Sequence, residues 1–236
     1  WLGDVYKRQE FDGIYQYSDF YSVPGSSTLI LKEGVTSNPS LGNRLSPGAV
    51  KYKDQDGDGV ITTKDRTVIG NALPKWYGGI TNTFNYKGID FSFMLQFNYG
   101  NDIYNATRLY ATQTNTQRRN QLAEVADRWS PTNASNKVPR YNGYVVNDVY
   151  SRFVEDGSFL RLKNITLGYT LPHKWTRSFH VSKLRVYATG QNLFCLNNYS
   201  GYDPEVSTAS KSPMTPGLDW GAYPKSRVFT FGIDLQ

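Results

Sequence analysis

The chain has 236 residues, of which 15% are aromatic (18 of them tyrosine), with a formal net charge of +6 and a mean hydropathy of −0.54. No window approaches about 18 consecutive apolar residues, which excludes a transmembrane helix, and the single cysteine, Cys195, excludes a disulfide framework or a cysteine-based metal cluster. The positive charge is modest and scattered, densest at Arg118-Arg119, and reads as solvated loop with no sign of a nucleic-acid surface.

The opening WLGDVYKRQ has no apolar core, no alternation and no initiating methionine, so residues 1–9 read as a truncated or artefactual start. Residues 10–77 read as a loop region. Glu10 to Leu45 is rich in Tyr, Ser, Gly, Asn and Pro without a sustained period, and only short extended pieces such as Thr28 to Leu31 stand out.

Residues 51–65, KYKDQDGDGVITTKD, carry the sharpest chemical motif. Asp54, Asp56 and Asp58 take positions 1, 3 and 5 of an EF-hand-type loop; Gly59 takes the sharp turn, Val60 offers its carbonyl and Asp65 takes the last position. Alternating aspartates on a tight coil supply the hard oxygens that Ca2+ needs. The final Asp is shorter than the usual bidentate Glu, no amphipathic helix enters the loop, and Asp-Gly repeats also build ordinary turns. The expectation is a structural calcium loop.

From Gly79 to Tyr99 the chain alternates. Ile89, Phe91, Phe93, Leu95, Phe97 and Tyr99 share one face, with Asp90, Ser92, Met94, Gln96 and Asn98 on the other. Lys87-Gly88 makes a tight turn back to a preceding strand that carries Phe84 and Tyr86. Strands of about ten residues match a tilted bilayer crossing, whereas soluble sandwiches use about five or six.

Ala106 to Trp129 has helical stretches, with Leu122, Val125, Ala126 and Trp129 on one face, and Pro131 ends them. With the polar residues up to Asp156 this makes a connection of roughly sixty residues, a length that tends to be functional.

Phe159 to Leu171 is the next strand. Leu160 and Leu162 have one parity and Ile165, Leu167, Tyr169 and Leu171 the other, so a bulge is expected near Lys163-Asn164. Leu184 to Phe194 follows after a short connection, then the Tyr-, Gly- and Pro-rich loop Asn197 to Lys225, then a last strand with Phe229, Phe231, Ile233 and Leu235 in alternation.

From Gly78 onward the connections run short, long, short, long. That asymmetry is expected of an outer-membrane barrel with tight periplasmic turns and large outer loops, and it puts the Asp54–Asp65 loop outside. The fold class is therefore all-β, part of a transmembrane antiparallel β-barrel with about five spanning strands over residues 78–236, with long extracellular loops, one partly helical.

The runs DGDGVITTKDRTVIGNALPKWYGGITNTFNYKGIDFSFMLQFNYGNDIYN, FVEDGSFLRLKNITLGYTLP, LRVYATGQNLFCLNNYSGYDPEV and YPKSRVFTFGIDLQ, taken in order, resemble the C-terminal end of SusC/RagA-type TonB-linked outer-membrane proteins. The resemblance covers nearly everything from Gly48 to Gln236. It implies a barrel of about 22 strands filled by an N-terminal plug, located in the outer membrane of a Gram-negative cell. It further implies import of oligosaccharides or peptides driven through TonB, and a SusD-like surface lipoprotein as a lid. Plug and TonB box are absent from this sequence, which corresponds to about the last quarter of such a protein. Five strands leave two unpaired edges, so the segment is expected to be one part of a larger barrel.

On the outer loops Trp129, Tyr141, Tyr144, Trp220 and Tyr223 are candidates for stacking on cargo or for resting against the lid. An enzymatic reading has little support: His173 and His180 flank a basic turn with no nucleophile motif, and Glu155-Asp156 and Asp203/Glu205 read as loop carboxylates. The competing architecture is a soluble, calcium-stabilised carbohydrate-binding β-sandwich. A sandwich buries its apolar faces against each other, whereas a barrel turns them outward.

Overall fold

The computed structural model describes residues 5–113, 120–145, 148–206 and 216–236. The basic pair Arg118-Arg119 and the first four residues of WLGDVYKRQ lie outside them, whereas Val5–Arg8 forms a strand that pairs antiparallel with Thr67–Asn71. No helix among the described residues is long and apolar enough to cross a membrane, which leaves strands untouched by that statement. The chain divides into two compact units.

One unit, comprising Leu73–Asp102, Asp156–Glu205 and Ala222–Gln236, is a single antiparallel sheet. Its strands are β1 (Trp76–Tyr86), β2 (Ile89–Tyr99), β3 (Phe159–Thr170), β4 (Leu184–Asn197) and β5 (Val228–Leu235), and each pairs with the next. β1 and β2 are joined by Lys87-Gly88 with both φ positive, 47° and 86°. That is the two-residue turn whose twist matches the flanking strands, and glycine makes its second position free of strain.

Register shows what the alternation does. Phe84 lies opposite Phe91, and Phe91 opposite Leu167; Ala188 follows, opposite Leu167, and Phe231 opposite Ala188. One face therefore carries apolar side chains across all five strands. The expected bulge is present: register shifts between Leu162 and Asn164, with Lys163 as the extra residue. Its effect is to bring Leu160 and Leu162, opposite Phe97 and Leu95, onto the same face as Ile165 and Leu167. Two parities in sequence become one stripe in space.

No second layer covers this stripe among the described residues of the unit, all of whose strands belong to one sheet. Leu167, on the central strand, is 54% exposed, and Phe231 is 79% exposed. Buried apolar surface is worth about 25 cal/mol per Å2, and patches beyond a few hundred Å2 are uncommon on water-soluble monomers. A sandwich would have buried Leu167, so that architecture is not the one formed.

The other unit contains the N-terminal stretch to Ala72, Ile103–Glu155 and Val206–Gly221. Here Glu10–Leu45, expected as a loop with short extended pieces such as Thr28 to Leu31, contains several such pieces in paired form. Phe11–Ile14 pairs with Val50–Tyr52, and Phe20–Ser22 pairs with Leu29–Leu31. Pieces of three or four residues are too short to show a period, yet they place Tyr15, Leu41, Val50, Tyr52, Tyr104 and Phe153 in a dry core, each less than 2% exposed or nearly so. Buried tyrosines keep their protons: Tyr150 is pushed up to about 12 by burial, and burial drives Tyr15 and Tyr52 higher still. The helical stretch proves to be α1 (Ala106–Thr112) and a 3-10 turn, Ala123–Asp127, which ends before Trp129.

Candidate functional site

Three local constellations carry polar chemistry or exposed aromatic surface. The first is the Asp-rich loop. One carboxylate oxygen from each of Asp54, Asp56 and Asp58 lies within 4.8 Å of the others. The loop is shaped by those same side chains: Asp54 accepts from the amides of Gly57 and Gly59, both at 2.7 Å, and Asp58 accepts from Val60 at 2.8 Å. Val60 lies beside Ser37 in a bridge that uses the carbonyl of Gly59 and the amide of Ile61.

Asp65 stands apart from that trio. It is fully buried, and its carboxylate accepts from the amides of Gln55 (2.9 Å) and Thr62 (2.6 Å), clasping the two ends of the loop. Burial alone would raise its pKa, but the backbone N–H groups aimed at it outweigh that and hold it below the usual carboxylate range. The structure therefore brings three of the proposed ligands together and gives the fourth carboxylate a role in the loop's base.

The second constellation is a cleft of about 380 Å3 between α1 and the segment that follows strand Leu218–Asp219, lined by Ala106, Thr107, Tyr110, Ala111, Asn120 and Trp220. Trp220 meets Tyr110 edge-on with ring centroids 4.7 Å apart, and about half of the indole is exposed. Its position is well supported. Leu218 and Asp219 pair in parallel with Tyr104 and Asn105, the Asn105 side chain caps α1 through the Arg108 amide, and the Gly221 amide donates to Thr107 Oγ1 at 2.8 Å. Arg108 grips Glu124 with two hydrogen bonds, 2.8 and 2.9 Å, and reaches Glu155 at 3.1 Å; Arg152 adds a further bond to Glu124. These bonds hold the Glu124 carboxyl below its usual range, against the opposing effect of burial.

The other aromatic candidates divide. Trp129 is buried, donates from Nε1 to Gln16 Oε1 at 2.8 Å, and lies so close to Gly48 that a Cβ there would be 2.4 Å from the indole. Tyr144 is also buried, within the core. Their faces serve packing. Tyr141 and Tyr223 are exposed, Tyr223 almost completely.

The third constellation was not foreseen. Arg161, on the polar face of β3 near its start, is buried and pairs with Asp203 and, at 2.8 Å, Glu205. Lys163 (3.0 Å) and Lys225 (2.7 Å) also bind Glu205, and the Lys225 amide donates to Asp203. Burial would raise both carboxyl pKa values; backbone N–H groups and Arg161 at Asp203, and the lysines at Glu205, hold them below the usual range instead. The Asp203/Glu205 pair is thus neutralised by cations, and Glu155 is tied to Arg108 and Asn105. The signal for this cluster was present: two cations two apart near the start of a strand, and two carboxylates with the same spacing in the loop.

No family model matches the sequence. The chain is 34% identical over 239 residues to TonB-dependent receptor P3 of Formosa agariphila, covering 100% of this chain and 22% of that receptor. It is 38% identical over 193 residues to TonB-dependent receptor P26 of the same organism (80% and 19%) and 32% identical over 187 residues to TonB-dependent receptor SusC of Bacteroides thetaiotaomicron (78% and 17%). The chain belongs to the SusC/RagA-type TonB-dependent receptors. Among solved structures it is similar to the RagAB peptide transporter, with a TM-score of 0.68 at 21% identity over 98% of this chain and 22% of that one. The RagAB peptide importer in its open-open state gives 0.63 at 23% identity, covering 92% of this chain and 24% of that one. The five strands of this TonB-dependent receptor segment are accordingly barrel wall, and the chain spans about a fifth of the length of the curated relatives it matches.

Proposed function

We propose that this chain supplies part of the wall and of the outer loops of a TonB-dependent transporter in the outer membrane. The transporter imports oligosaccharides or peptides and works with a SusD-like surface lipoprotein and the TonB complex. The observation that carries the reading is the apolar face running unbroken over five long strands and left bare. Similarity to the RagAB peptide transporter supports peptide cargo; oligosaccharide cargo and the SusD-like lid rest on the resemblance to SusC/RagA-type receptors. Of the five aromatic candidates, Trp220, Tyr141 and Tyr223 are the exposed ones and offer surface to cargo or lid. A structural Ca2+ held by Asp54, Asp56 and Asp58 stiffens the Asp-rich loop, with Asp65 bracing its base.

Deleting the gene for the full-length protein is expected to abolish uptake of labelled oligosaccharides or peptides by whole cells. Uptake should return with the full-length gene and stop again when the proton gradient is collapsed. Undiminished uptake in the deletion strain for every oligosaccharide and peptide pool tested would refute the transport reading.

A further inference from the structure

The two ends of the sheet differ in charge, and the short-connection end has a feature that wall strands alone do not require. Between Leu171 and Leu184, at residues 172–183, the chain reads PHKWTRSFHVSK, with no Asp or Glu. It folds as α2 (His173–Thr176) followed by a 3-10 turn, and the Leu171 amide donating to the Leu184 carbonyl at 2.8 Å closes the connection. Thr176 is buried, while Lys174, Trp175, Arg177 and Lys183 are exposed.

Lys87 lies in the neighbouring turn, whose Gly88 carbonyl accepts from Thr170. Its ammonium sits 5.2 Å from the ring centre of Tyr86, the last residue of the apolar stripe on β1. A cation is therefore held where the oily face ends. The carboxylates at this end, Asp90 and Asp234, are on the opposite, polar face and both are paired with Arg185. Lys183 also acts electrostatically on Asp90, while Lys87, Lys174 and Arg177 have no carboxylate partner among the ion pairs of the described residues.

We infer that Lys87, Lys174, Arg177 and Lys183, with Trp175 between them, bind the phosphate headgroups of anionic phospholipids in the leaflet on the short-connection side. The inference rests on the membrane reading above. Charge complementarity supports it, since each Lys or Arg near an anionic bilayer contributes roughly a fivefold gain in binding. Position supports it too, because an indole beside cations at the edge of an apolar band is the usual composition of a headgroup-level anchor.

The test uses the full-length receptor in nanodiscs of mixed phosphatidylglycerol and phosphatidylcholine, with retained lipids read by native mass spectrometry. Roughly tenfold or greater enrichment of phosphatidylglycerol is expected. It should vanish in the quadruple variant K87Q/K174Q/R177Q/K183Q and persist in a control, K53Q/K64Q/K137Q, that removes exposed lysines of the other unit. If the quadruple variant does not fold, quenching by brominated phosphatidylglycerol provides a second measurement. It should exceed that by brominated phosphatidylcholine, and the excess should be lost in Trp175→Phe. Equal retention of both lipids by a well-folded, membrane-inserted receptor would overturn the headgroup site while leaving the barrel intact. A receptor that stays in solution without detergent would overturn both.

Discussion

At the scale of single residues, buried charge is placed where it fastens loops. Arg161 has little access to water and faces Asp203 and Glu205, and removing it leaves buried Asp203 without its cation while Glu205 keeps Lys163 and Lys225. Arg161→Met is expected to destabilise the loop-side end of the wall by about 3–5 kcal/mol, visible as a lower temperature for the loss of the folded, fast-migrating form of the full-length receptor on gels. The carboxyl pKa values of Asp203 and Glu205 are depressed on folding, so the stability they contribute is fully present above the ordinary carboxylate range. It is lost as pH falls through their lowered values, below about pH 4. A melting temperature flat from pH 6 to pH 2 would contradict this. Asp65 follows the same sign. Asp65→Ala strands the amides of Gln55 and Thr62, at a cost of about 1–3 kcal/mol, and should expose Gly57–Gly59 to limited proteolysis. Added Ca2+ should protect that loop in the parent protein and fail to do so in Asp54→Ala.

At the scale of elements, the two faces of each strand predict opposite responses to the same substitution. Leu167→Arg puts a charge on the apolar face and is expected to cost about 2–4 kcal/mol in assembly into bilayers. Thr166→Arg, one residue away, points to the polar face, where Thr166 meets Thr189 across strands at 3.1 Å, and should cost far less. Folding yields into lipid vesicles measure the difference, and equal losses would argue against the assigned faces. The hairpin, the bulge and the alternation were all legible in the sequence, because period two and a Lys-Gly turn are local signals. The packed core around Tyr15, Leu41 and Phe153 was not, since it joins pieces of three or four residues that lie far apart in the chain. Trp129 and Trp220 look alike in sequence; only long-range packing on Gly48 buries the first, while the second stays half-exposed beside Tyr110.

At the scale of the whole molecule, the five-strand wall is the part proposed to meet lipid, and the loop-built unit carries aromatics proposed for cargo or lid. The chain covers a fifth of its relatives, so the two open edges, β1 and β5, pair with strands of the full-length receptor in this account. The claim on which the rest depends is that the stripe of Phe91, Leu167 and Phe231 faces hydrocarbon. Single cysteines placed at those positions, and at Ser92, Thr166 and Thr230 on the other face, in a Cys195→Ser full-length receptor, test it directly. In membranes, a fluorophore on the first set should be quenched by lipids brominated on their acyl chains and remain closed to water-soluble maleimide. The second set should react with the maleimide and escape quenching. The reverse pattern, or quenching on neither face, would contradict the account.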